Sequence, residues 1–406
     1  MMRIAYIDVN FKEGSTGKIV YDLMESLPTD DTCIAFYGRG KKSDDNRAFK
    51  FGFDLETVAH AFLTRVTGLM GYFSYFSTKK LIKQLKCFKP DVVHIHEIHS
   101  YFLNYNRLFS FLAKSNIPVI FTEHCEFNYT GRCGHSFECE KWKNECSRCP
   151  HKNSYPKTLL FDFSRFMFRR KKEAFQSLKY AIICAPSTWL LNRSKESFLG
   201  SFEHRLVPNS IDTSIFKYCD MNKARQDLSL ENRKTILLVA NDLFGPYKGG
   251  KYFLKLIKME CMKQFKFIVI GNNKKIPFTQ DNVEFIGPIY DKKILAKYYS
   301  ASDLFLITSE IENFPTTCLE AACCGTPIVG FDVGGIKEAV NDDVSKLVPL
   351  GDIESLASTV MSLALIESSR EKNSKKYISM YSEQRMASTY YSLYEYILNK
   401  KKTNCH

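Results

Sequence analysis

The segment Ser309–Val340 reads SEIENFPTTCLEAACCGTPIVGFDVGGIKEAV and decides the fold of the second half of the chain. A short apolar run, Asp303–Ile307, precedes it, and Pro315 is well suited to the start of a helix. A Gly-Thr-Pro turn and a second apolar run, Pro327–Phe331, follow the small residues of that helix. This pattern predicts a parallel β-α-β unit with a functional loop at the carboxyl end of its first strand.

Similar short β-rich runs alternate with longer amphipathic segments along the whole chain. Such alternation indicates an α/β protein with parallel sheets. Two series of runs predict two doubly wound, Rossmann-like domains, 1–206 and 207–406, the second including all the C-terminal helices. The predicted strands are Arg3–Val9, Thr32–Tyr37, Val92–Ile95, Val119–Thr122 and Ala181–Ala185, then Thr235–Val239, Phe265–Ile270, Val283–Ile286, Asp303–Ile307 and Pro327–Phe331.

The composition is that of a globular protein, with 45% apolar and 25% charged residues among 406. Lysine and arginine exceed the acidic residues by 57 − 44 = 13, which favours anionic partners. No apolar run approaches the ~20 residues that span a bilayer, and the start MMRIAYIDVNF lacks the core of a signal peptide. We therefore expect a cytoplasmic protein whose fourteen cysteines are thiols or metal ligands rather than disulfides.

Two carboxylates flank the start of the predicted helix, Glu312 in the loop and Glu320 inside the helix. Backbone N–H groups near Phe314, Thr316 and Thr317 would suit a phosphate, because a helix N-terminus attracts anions. A carboxylate beyond them can accept hydrogen bonds from ribose hydroxyls. Without further context, two solvated carboxylates on a helix surface are the alternative interpretation.

The same segment resembles the signature of glycosyltransferase family 4, whose retaining enzymes have the GT-B fold of two Rossmann-like domains facing across a cleft. In that family two glutamates with seven residues between them precede a Gly-Thr-Pro turn, here Gly325–Thr326–Pro327. The resemblance implies that Glu320 binds the ribose of the nucleotide. It also implies that Glu312 faces the donor sugar at the catalytic centre.

A second segment, Ile236–Ile257, reads ILLVANDLFGPYKGGKYFLKLI and places Lys248 before two glycines and an amphipathic helix. An ammonium group beside glycines that admit a ligand suits a diphosphate, and a surface lysine after a turn is the alternative. A lysine at this place binds the donor diphosphate in the family, so the resemblance gives Lys248 that catalytic role. The family's arginine five positions earlier is Leu243 here, which leaves Lys251 or Arg39 as second cations.

In the first half, the loop Asn10–Lys18, NFKEGSTGK, leads to a helix predicted to begin near Lys18. The resemblance places this loop against the donor phosphates and the acceptor, which makes Gly17 a donor-binding candidate. His124 follows the strand Val119–Thr122, and the family's histidine there hydrogen-bonds the transferred sugar. His94 and His96 share one face of a strand, and we interpret them as structural.

Residues 125–150 form a cysteine-rich insertion in the first domain. The stretch from Pro90 to Pro150 looks like the subset of family 4 found in capsule, colanic-acid and O-antigen gene clusters, which carries a Thr-Gly-x-Cys motif and further cysteines. Four thiolates can close a tetrahedral zinc site without an open position, so a bound zinc would be structural. The alternative is a compact loop of reduced thiols. The four candidate ligands are Cys133, Cys139, Cys146 and Cys149.

Together these features predict a hexosyl-type glycosyltransferase (EC 2.4) of surface polysaccharide biosynthesis. It would use a nucleoside-diphosphate sugar and need no cofactor for catalysis. The family implies a lipid-linked or oligosaccharide acceptor. Residues 64–86 mix aromatic residues with lysines, which suits a helix on an anionic membrane surface at the inner face of the membrane. A basic helix packed on its own core is the alternative.

Two other classes of protein share some of these features. A zinc-containing nucleic-acid-binding protein would explain the basic charge, but Glu138, Glu140 and Glu145 give the cysteine-rich segment mixed charge. A dinucleotide-dependent dehydrogenase would share the alternating pattern, but no Gly-x-Gly-x-x-Gly motif follows a predicted strand. We therefore expect no nucleic-acid partner.

Overall fold

The computed structural model describes the chain except residues 29, 273–279, 341–342, 365–369 and 405–406. The described residues form two compact units. The first comprises Met1–Pro208 and the chain from Met386 onward, and the second comprises Asn209–Arg385. Each unit contains one parallel sheet, with seven strands in the first and six in the second.

The sheet of the first unit has the strand order β3-β2-β1-β4-β5-β6-β7, and every pairing is parallel. Helices connect most neighbouring strands, as in a doubly wound fold. The elements are β1 (Arg3–Asp8), α1 (Gly14–Glu25), β2 (Thr32–Tyr37), β3 (Ala48–Lys50), α2 (Asp54–Thr67), α3 (Tyr75–Phe88), β4 (Val92–Ile95), α4 (Tyr105–Ser115), β5 (Val119–Thr122), α5 (Ser164–Gln176), β6 (Ala181–Ala185), α6 (Thr188–Lys195) and β7 (Glu203–Leu206).

The sheet of the second unit has the order β10-β9-β8-β11-β12-β13, again with parallel pairing. The order reverses between β8 and β11, and ligands of such sheets bind beyond the carboxyl ends of the strands at this reversal. The elements are α7 (Met221–Asp227), β8 (Thr235–Val239), α8 (Gly250–Ile257), β9 (Lys266–Ile270), β10 (Val283–Ile286), α9 (Lys292–Ala301), β11 (Leu304–Ile307), α10 (Thr316–Cys323), β12 (Ile328–Phe331), α11 (Ile336–Ala339), β13 (Lys346–Val348), α12 (Ile353–Leu363) and α13 (Arg370–Tyr381).

Both faces of each sheet are buried, which explains why the inner strands are continuous apolar runs. Successive residues of a strand point to opposite faces. In β1, Ala5 and Ile7 belong to one hydrophobic core, and Ile4 and Tyr6 belong to the core on the other face. The strands of the second unit divide in the same way between two cores.

The last helix, α14 (Glu383–Thr403), differs from the predicted domain assignment. From Met386 onward it belongs to the first unit, although we expected all C-terminal helices in the second. Its buried stripe includes Tyr390, Tyr394 and Ile397, which pack in the same core as Ile4. An apolar stripe of this kind covers a sheet face that would otherwise be exposed, and sequence order does not indicate which sheet it covers.

All ten predicted strands are present, with bounds that agree to within one residue. The strands that were not predicted, β3, β7 and β13, are each three or four residues long and lie at sheet edges. Edge strands have fewer buried neighbours, so these three sequences lack the apolar runs of inner strands, whereas the edge strand β10 has three apolar residues among four and is predicted. The first helix begins at Gly14 instead of near Lys18.

The predicted single helix over residues 64–86 is wrong, because α2 ends at Thr67, with Gly68 as its C-cap, and α3 begins only at Tyr75. Gly68 has a φ of 81°, the left-handed conformation common just after a helix. Among the described residues, no helix combines the length and the apolar character needed to cross a bilayer.

Candidate active site

The loops at the strand-order reversal of the second sheet carry an ion pair between residues distant in sequence. Lys248 lies in the loop after β8, and Glu312 lies in the loop after β11. Lys248 Nζ is 2.6 Å from Glu312 Oε1, and the Ser309 hydroxyl donates to the same oxygen at 2.8 Å. The structure therefore brings together the two residues predicted for the reacting end of the donor.

Two glycines in the left-handed region hold these loops against each other. Gly249 has a φ of 72°, and a Cβ there would lie 1.7 Å from the carbonyl oxygen of Thr308. Gly334 has a φ of 57°, and a Cβ there would lie 1.9 Å from the carbonyl oxygen of Glu312. The prediction that the glycines after Lys248 admit a ligand differs from this arrangement. The structure shows that the space at Gly249 is occupied by the neighbouring loop, whose close approach positions the ion pair.

The helix after Glu312, α10, begins at Thr316 with Pro315 at the N-cap position, which has no side-chain capping hydrogen bond. The backbone N–H groups of Thr316 and Thr317 lie in its first turn, where a helix favours anions. Phe314 is buried, with its ring 5.7 Å from the ring of Tyr381. The side chain of Phe314 is therefore not available to a ligand.

Glu320 lies further along α10 and is partly buried. The Tyr299 hydroxyl donates to Glu320 Oε2 at 2.8 Å. Burial raises the pKa of Glu320 to about 7, while this hydrogen bond and the charge of Lys292 act in the opposite direction. Both protonation states of Glu320 are therefore populated near neutral pH, and the ionised one is the better acceptor for ribose hydroxyls.

No cation occupies the position at which the family commonly has arginine. Leu243 is 2% exposed and belongs to a hydrophobic core of the second unit. Lys251 is exposed and pairs with Glu310 at 2.9 Å. Arg39, in the first unit, donates to the carbonyl oxygen of Ser100 at 3.4 Å. Of the two candidate second cations, Lys251 is the one in the same unit as Lys248.

In the first unit, His124 follows β5 and is partly buried. Its Nε2 is 3.1 Å from His96 Nδ1, and the two rings are stacked with an interplanar angle of 15°. Burial lowers the pKa of His124 to about 4, so the ring is neutral at physiological pH. His94 has hydrogen-bond partners on both nitrogens, Tyr394 at 2.8 Å and Thr122 at 2.7 Å, as expected of a structural histidine.

Two carboxylates that the sequence analysis did not single out lie at the carboxyl ends of neighbouring strands in the first unit. Asp8 ends β1, and Glu97 lies two residues after β4. Burial raises the pKa of Glu97 to about 7, and burial together with the nearby charge of Glu97 raises the pKa of Asp8 well above its usual value. Perturbed acids at the strand-order reversal of a sheet are candidates for contact with hydroxyl groups. In the sequence, the signal for these two carboxylates is that each lies near the end of a predicted strand.

Gly17 is buried in the first turn of α1. A Cβ there would lie 3.0 Å from the carbonyl oxygen of Asn10 and 3.3 Å from the backbone nitrogen of Phe11. The small residue therefore accommodates the chain's own loop. A role of Gly17 toward donor phosphates stays a prediction.

The four predicted zinc ligands line one small cavity, together with Arg132 and Trp142. Cys133 and Cys149 have their sulfur atoms 3.7 Å apart. The backbone N–H of Gly131 donates to the sulfur of Cys146 at 3.1 Å. In the part of the chain that the structure describes, no three His, Cys, Asp or Glu side chains are arranged as a ready metal site.

Comparison with protein families matches most of the chain to two models. Residues 17–215 match a model described as Glycosyltransferase Family 4, and residues 233–365 match one described as Glycosyl transferases group 1. One curated relative is the putative colanic acid biosynthesis glycosyl transferase WcaC of Escherichia coli strain K12. It is 25% identical over 97% of this chain and 100% of its own length. Another is an uncharacterized 41.2 kDa protein in the cps region of Klebsiella pneumoniae, 24% identical over 66% of this chain and 67% of its own length.

Solved structures share the fold over nearly the whole chain. Sucrose-phosphate synthase of Thermosynechococcus elongatus superposes with a TM-score of 0.68 at 17% identity, covering 98% of this chain and 100% of its own. HepE of Anabaena, solved in complex with UDP-glucose, has a TM-score of 0.63 at 16% identity, with 97% and 100% covered. The predicted GT-B fold is confirmed by these neighbours.

Proposed function

Because this chain belongs to glycosyltransferase family 4 and is a glycosyltransferase, we propose that it transfers a sugar, with retention, from a nucleoside-diphosphate sugar to a lipid-linked glycan acceptor. The observation that carries the proposal is the pairing of Lys248 with Glu312 beside the start of α10. Solved neighbours that bind UDP and UDP-glucose support the choice of donor class. Similarity to a putative colanic acid enzyme supports a role in polysaccharide biosynthesis.

We assign donor binding to three kinds of group: an ammonium, backbone amides and carboxylates. The Lys248 ammonium and the first-turn amides of α10 would hold the diphosphate, since both favour negative charge. Glu320, when ionised, would accept hydrogen bonds from the ribose. Glu312 would face the sugar, with its backbone carbonyl held by the N–H of Gly335 at 2.9 Å.

In this mechanism the main contributions are positioning and electrostatics. As the bond from the anomeric carbon to the diphosphate breaks, negative charge grows on the leaving oxygen, and preorganised positive groups stabilise it. The acceptor hydroxyl attacks from the same face, and its proton passes to the leaving phosphate. No side chain is needed as a strong general base, and neither glutamate acts as a covalent nucleophile.

The acceptor side of the proposal involves the first unit. His124 would donate or accept one hydrogen bond as a neutral ring, in the role that the resemblance implies. Asp8 and Glu97 would accept hydrogen bonds from hydroxyl groups. A lipid-linked acceptor requires the enzyme to work at the inner surface of the membrane. The net charge of +13 favours binding to an anionic membrane surface.

A panel of UDP- and GDP-sugars tests the proposal, first through slow hydrolysis of the donor and then through transfer to an extracted lipid-linked acceptor. One donor should be consumed, and the anomeric configuration of the product, read by NMR, should match that of the donor. An inverted product would contradict the retaining mechanism. Transfer to soluble oligosaccharides alone, with lipid-linked acceptors refused, would contradict the acceptor class.

A further inference from the structure

In helix α2 of the first unit, the polar face is buried and the apolar face is exposed. Its buried residues are His60 and Thr64, both polar. Its exposed face carries Leu55, Val58 and Phe62, with exposed fractions of 84%, 66% and 66%. A surface helix ordinarily turns its apolar stripe inward, so an outward stripe of large side chains indicates a partner surface.

Hydrogen bonds fix this orientation of α2. His60 contacts the Ser74 hydroxyl through Nδ1 at 2.7 Å and accepts the N–H of Gly71 through Nε2 at 3.0 Å. The Thr64 hydroxyl donates to the carbonyl oxygen of Leu69 at 3.3 Å. Rotating α2 to bury its apolar face would break these hydrogen bonds, so the fold itself keeps that face exposed.

A neighbouring segment extends the apolar face. The N–H of Leu159 donates to the carbonyl oxygen of Arg65 at 2.8 Å, which joins this segment to the end of α2. At the other end of α2, Glu56 accepts the N–H of Phe76 at 2.8 Å. Further exposed large apolar side chains on these two neighbours are Tyr75, Phe76, Leu159, Leu160, Phe161, Phe163 and Phe166. We call this set, with that of α2, the apolar face.

Basic residues border the apolar face. Helix α3, which begins with Tyr75 and Phe76, contains four lysines and no acidic residue. Lys79 and Lys83 of this helix are exposed, as is Lys157 next to Leu159. Large apolar side chains beside exposed lysines fit the boundary between acyl chains and anionic headgroups.

We propose that the apolar face is the membrane-attachment surface of this enzyme, with an anionic lipid bilayer as its occupant. The inference deepens the proposed function, because it rests on a lipid-linked acceptor and places the contact on α2 and residues 159–166. The side chains of α2 would enter the acyl boundary, and the lysines of α3 would contact headgroups. This differs from the predicted contact over residues 64–86, whose first part lies at the end of α2.

Flotation of the full chain with vesicles tests the proposal. Vesicles of phosphatidylglycerol and phosphatidylcholine should bind the chain, and phosphatidylcholine alone should bind it weakly. The double variant Leu55→Ser with Phe62→Ser should lower binding at least tenfold. A control with two exposed apolar residues of the second unit changed, Ile294→Ser with Leu350→Ser, should bind like the unchanged chain.

Three outcomes would overturn the membrane assignment: no binding to anionic vesicles, equal binding by both double variants, or a dimer in solution that Leu55→Ser with Phe62→Ser abolishes. Donor hydrolysis without lipid is measured in parallel. Since the substituted side chains lie on the surface of the first unit, hydrolysis should be unchanged. A chain that hydrolyses the donor but ignores vesicles would refute the attachment surface and leave the proposed reaction intact.

The positions of the sulfur atoms at the cysteine cavity of the first unit support a second proposal. The Cys133 and Cys149 sulfur atoms, 3.7 Å apart, match the separation of about 3.8 Å expected for two sulfurs on tetrahedral zinc with bonds of ~2.3 Å. Cys139 and Cys146 line the same cavity, and Cys146 accepts the N–H of Gly131. A backbone N–H directed at a sulfur is an outer contact that supports a ligating thiolate.

We infer that these four cysteines close around one structural zinc ion after side-chain rotation brings Cys139 and Cys146 to the pair. Binding would release the thiol protons, and the ion would cross-link the loop between Thr130 and Pro150. The described secondary structure of this part of the chain is one short 3₁₀ turn, Lys141–Lys143. A metal cross-link would stabilise such a segment because it restricts the unfolded loop.

Elemental analysis of the purified chain, reconstituted with zinc under reducing conditions and dialysed, tests this inference. One zinc per chain is expected, and cobalt in its place should give a thiolate charge-transfer band. Cys133→Ser and Cys149→Ser should lose the metal, whereas Cys87→Ser, at an exposed cysteine outside the cavity, should keep it. No bound metal in the reconstituted chain, or full retention in Cys149→Ser, would overturn the site.

Discussion

Lys248 Nζ and Glu312 Oε1 lie 2.6 Å apart, although 64 positions separate them in the sequence. Their loops follow β8 and β11, the two strands between which the order of the second sheet reverses. This pair uses one of the three donors of the ammonium, and the Lys248 side chain is 39% exposed. A donor diphosphate must therefore share Lys248 with Glu312 or replace Glu312 as the partner of Lys248.

This competition predicts opposite effects of Glu312→Gln on binding and on turnover. The amide keeps the shape of the side chain but removes a negative charge beside the diphosphate site, so the free nucleoside diphosphate should bind as tightly or more tightly. Transfer should nevertheless fall at least tenfold, because the group facing the sugar is altered. Calorimetry and steady-state kinetics measure the two effects. A loss of nucleotide affinity with normal turnover would contradict the assignment.

The pKa of Glu320, near 7, predicts that donor binding depends on pH. Because burial raises this pKa, the carboxyl is mostly neutral at pH 6 and mostly ionised at pH 8. The KM for the donor should therefore fall as pH rises through about 7. Tyr299→Phe removes a hydrogen bond that favours the ionised form and should move the midpoint upward. Glu320→Gln should remove this pH dependence, and a profile identical to that of the unchanged chain would refute the role of Glu320.

His124 should act as a neutral ring at all pH values above about 5. Burial lowers its pKa to about 4, so its protonation does not change between pH 5.5 and pH 8. His124→Ala should reduce kcat at least tenfold, and His124→Gln should recover part of the loss because the amide can still hydrogen-bond a hydroxyl. A normal kcat in His124→Ala would remove His124 from the site.

The contact of α14 with the first sheet predicts a stability effect at Tyr394. Its hydroxyl is 2.8 Å from buried His94 Nδ1, so Tyr394→Phe leaves a buried polar atom without this partner. We expect the free energy of unfolding to fall by about 1–3 kcal/mol. Tyr396→Phe, on the same helix but exposed, should change it by less than about 0.5 kcal/mol. Denaturant titrations compare the two variants, and equal losses would argue against the buried contact.

Much of the fold could be predicted from the sequence, because buried parallel strands need continuous apolar runs and helices need amphipathic ones. Ten strands follow from this rule, nine inside their sheets and β10 at an edge. The roles of Glu312, Glu320 and Lys248 were predicted from the resemblance to glycosyltransferase family 4, together with their place after such strands. The other edge strands, β3, β7 and β13, the docking of α14 and the function of Gly249 were not predictable in this way. Each depends on which distant segment lies opposite, and a local pattern contains no information about that neighbour.

Asp8 and Glu97 illustrate the same limit within the site. Each is an ordinary acidic residue in the sequence, and only the pairing of β1 with β4 brings them to one edge of the sheet. The outward apolar face of α2 is similar, because Leu55, Val58 and Phe62 have the spacing of a core stripe. The structure shows the opposite orientation because His60 and Thr64 are hydrogen-bonded inside.

The most direct measurement is a calorimetric titration of the chain with UDP, GDP and their sugars, repeated on Lys248→Ala, Glu320→Ala and the control Lys255→Ala, an exposed lysine on α8. We predict that one nucleotide family binds, that Lys248→Ala and Glu320→Ala each weaken it at least tenfold, and that Lys255→Ala does not. Absence of binding by every nucleotide, or unchanged affinity in both Lys248→Ala and Glu320→Ala, would contradict a donor site built from these residues.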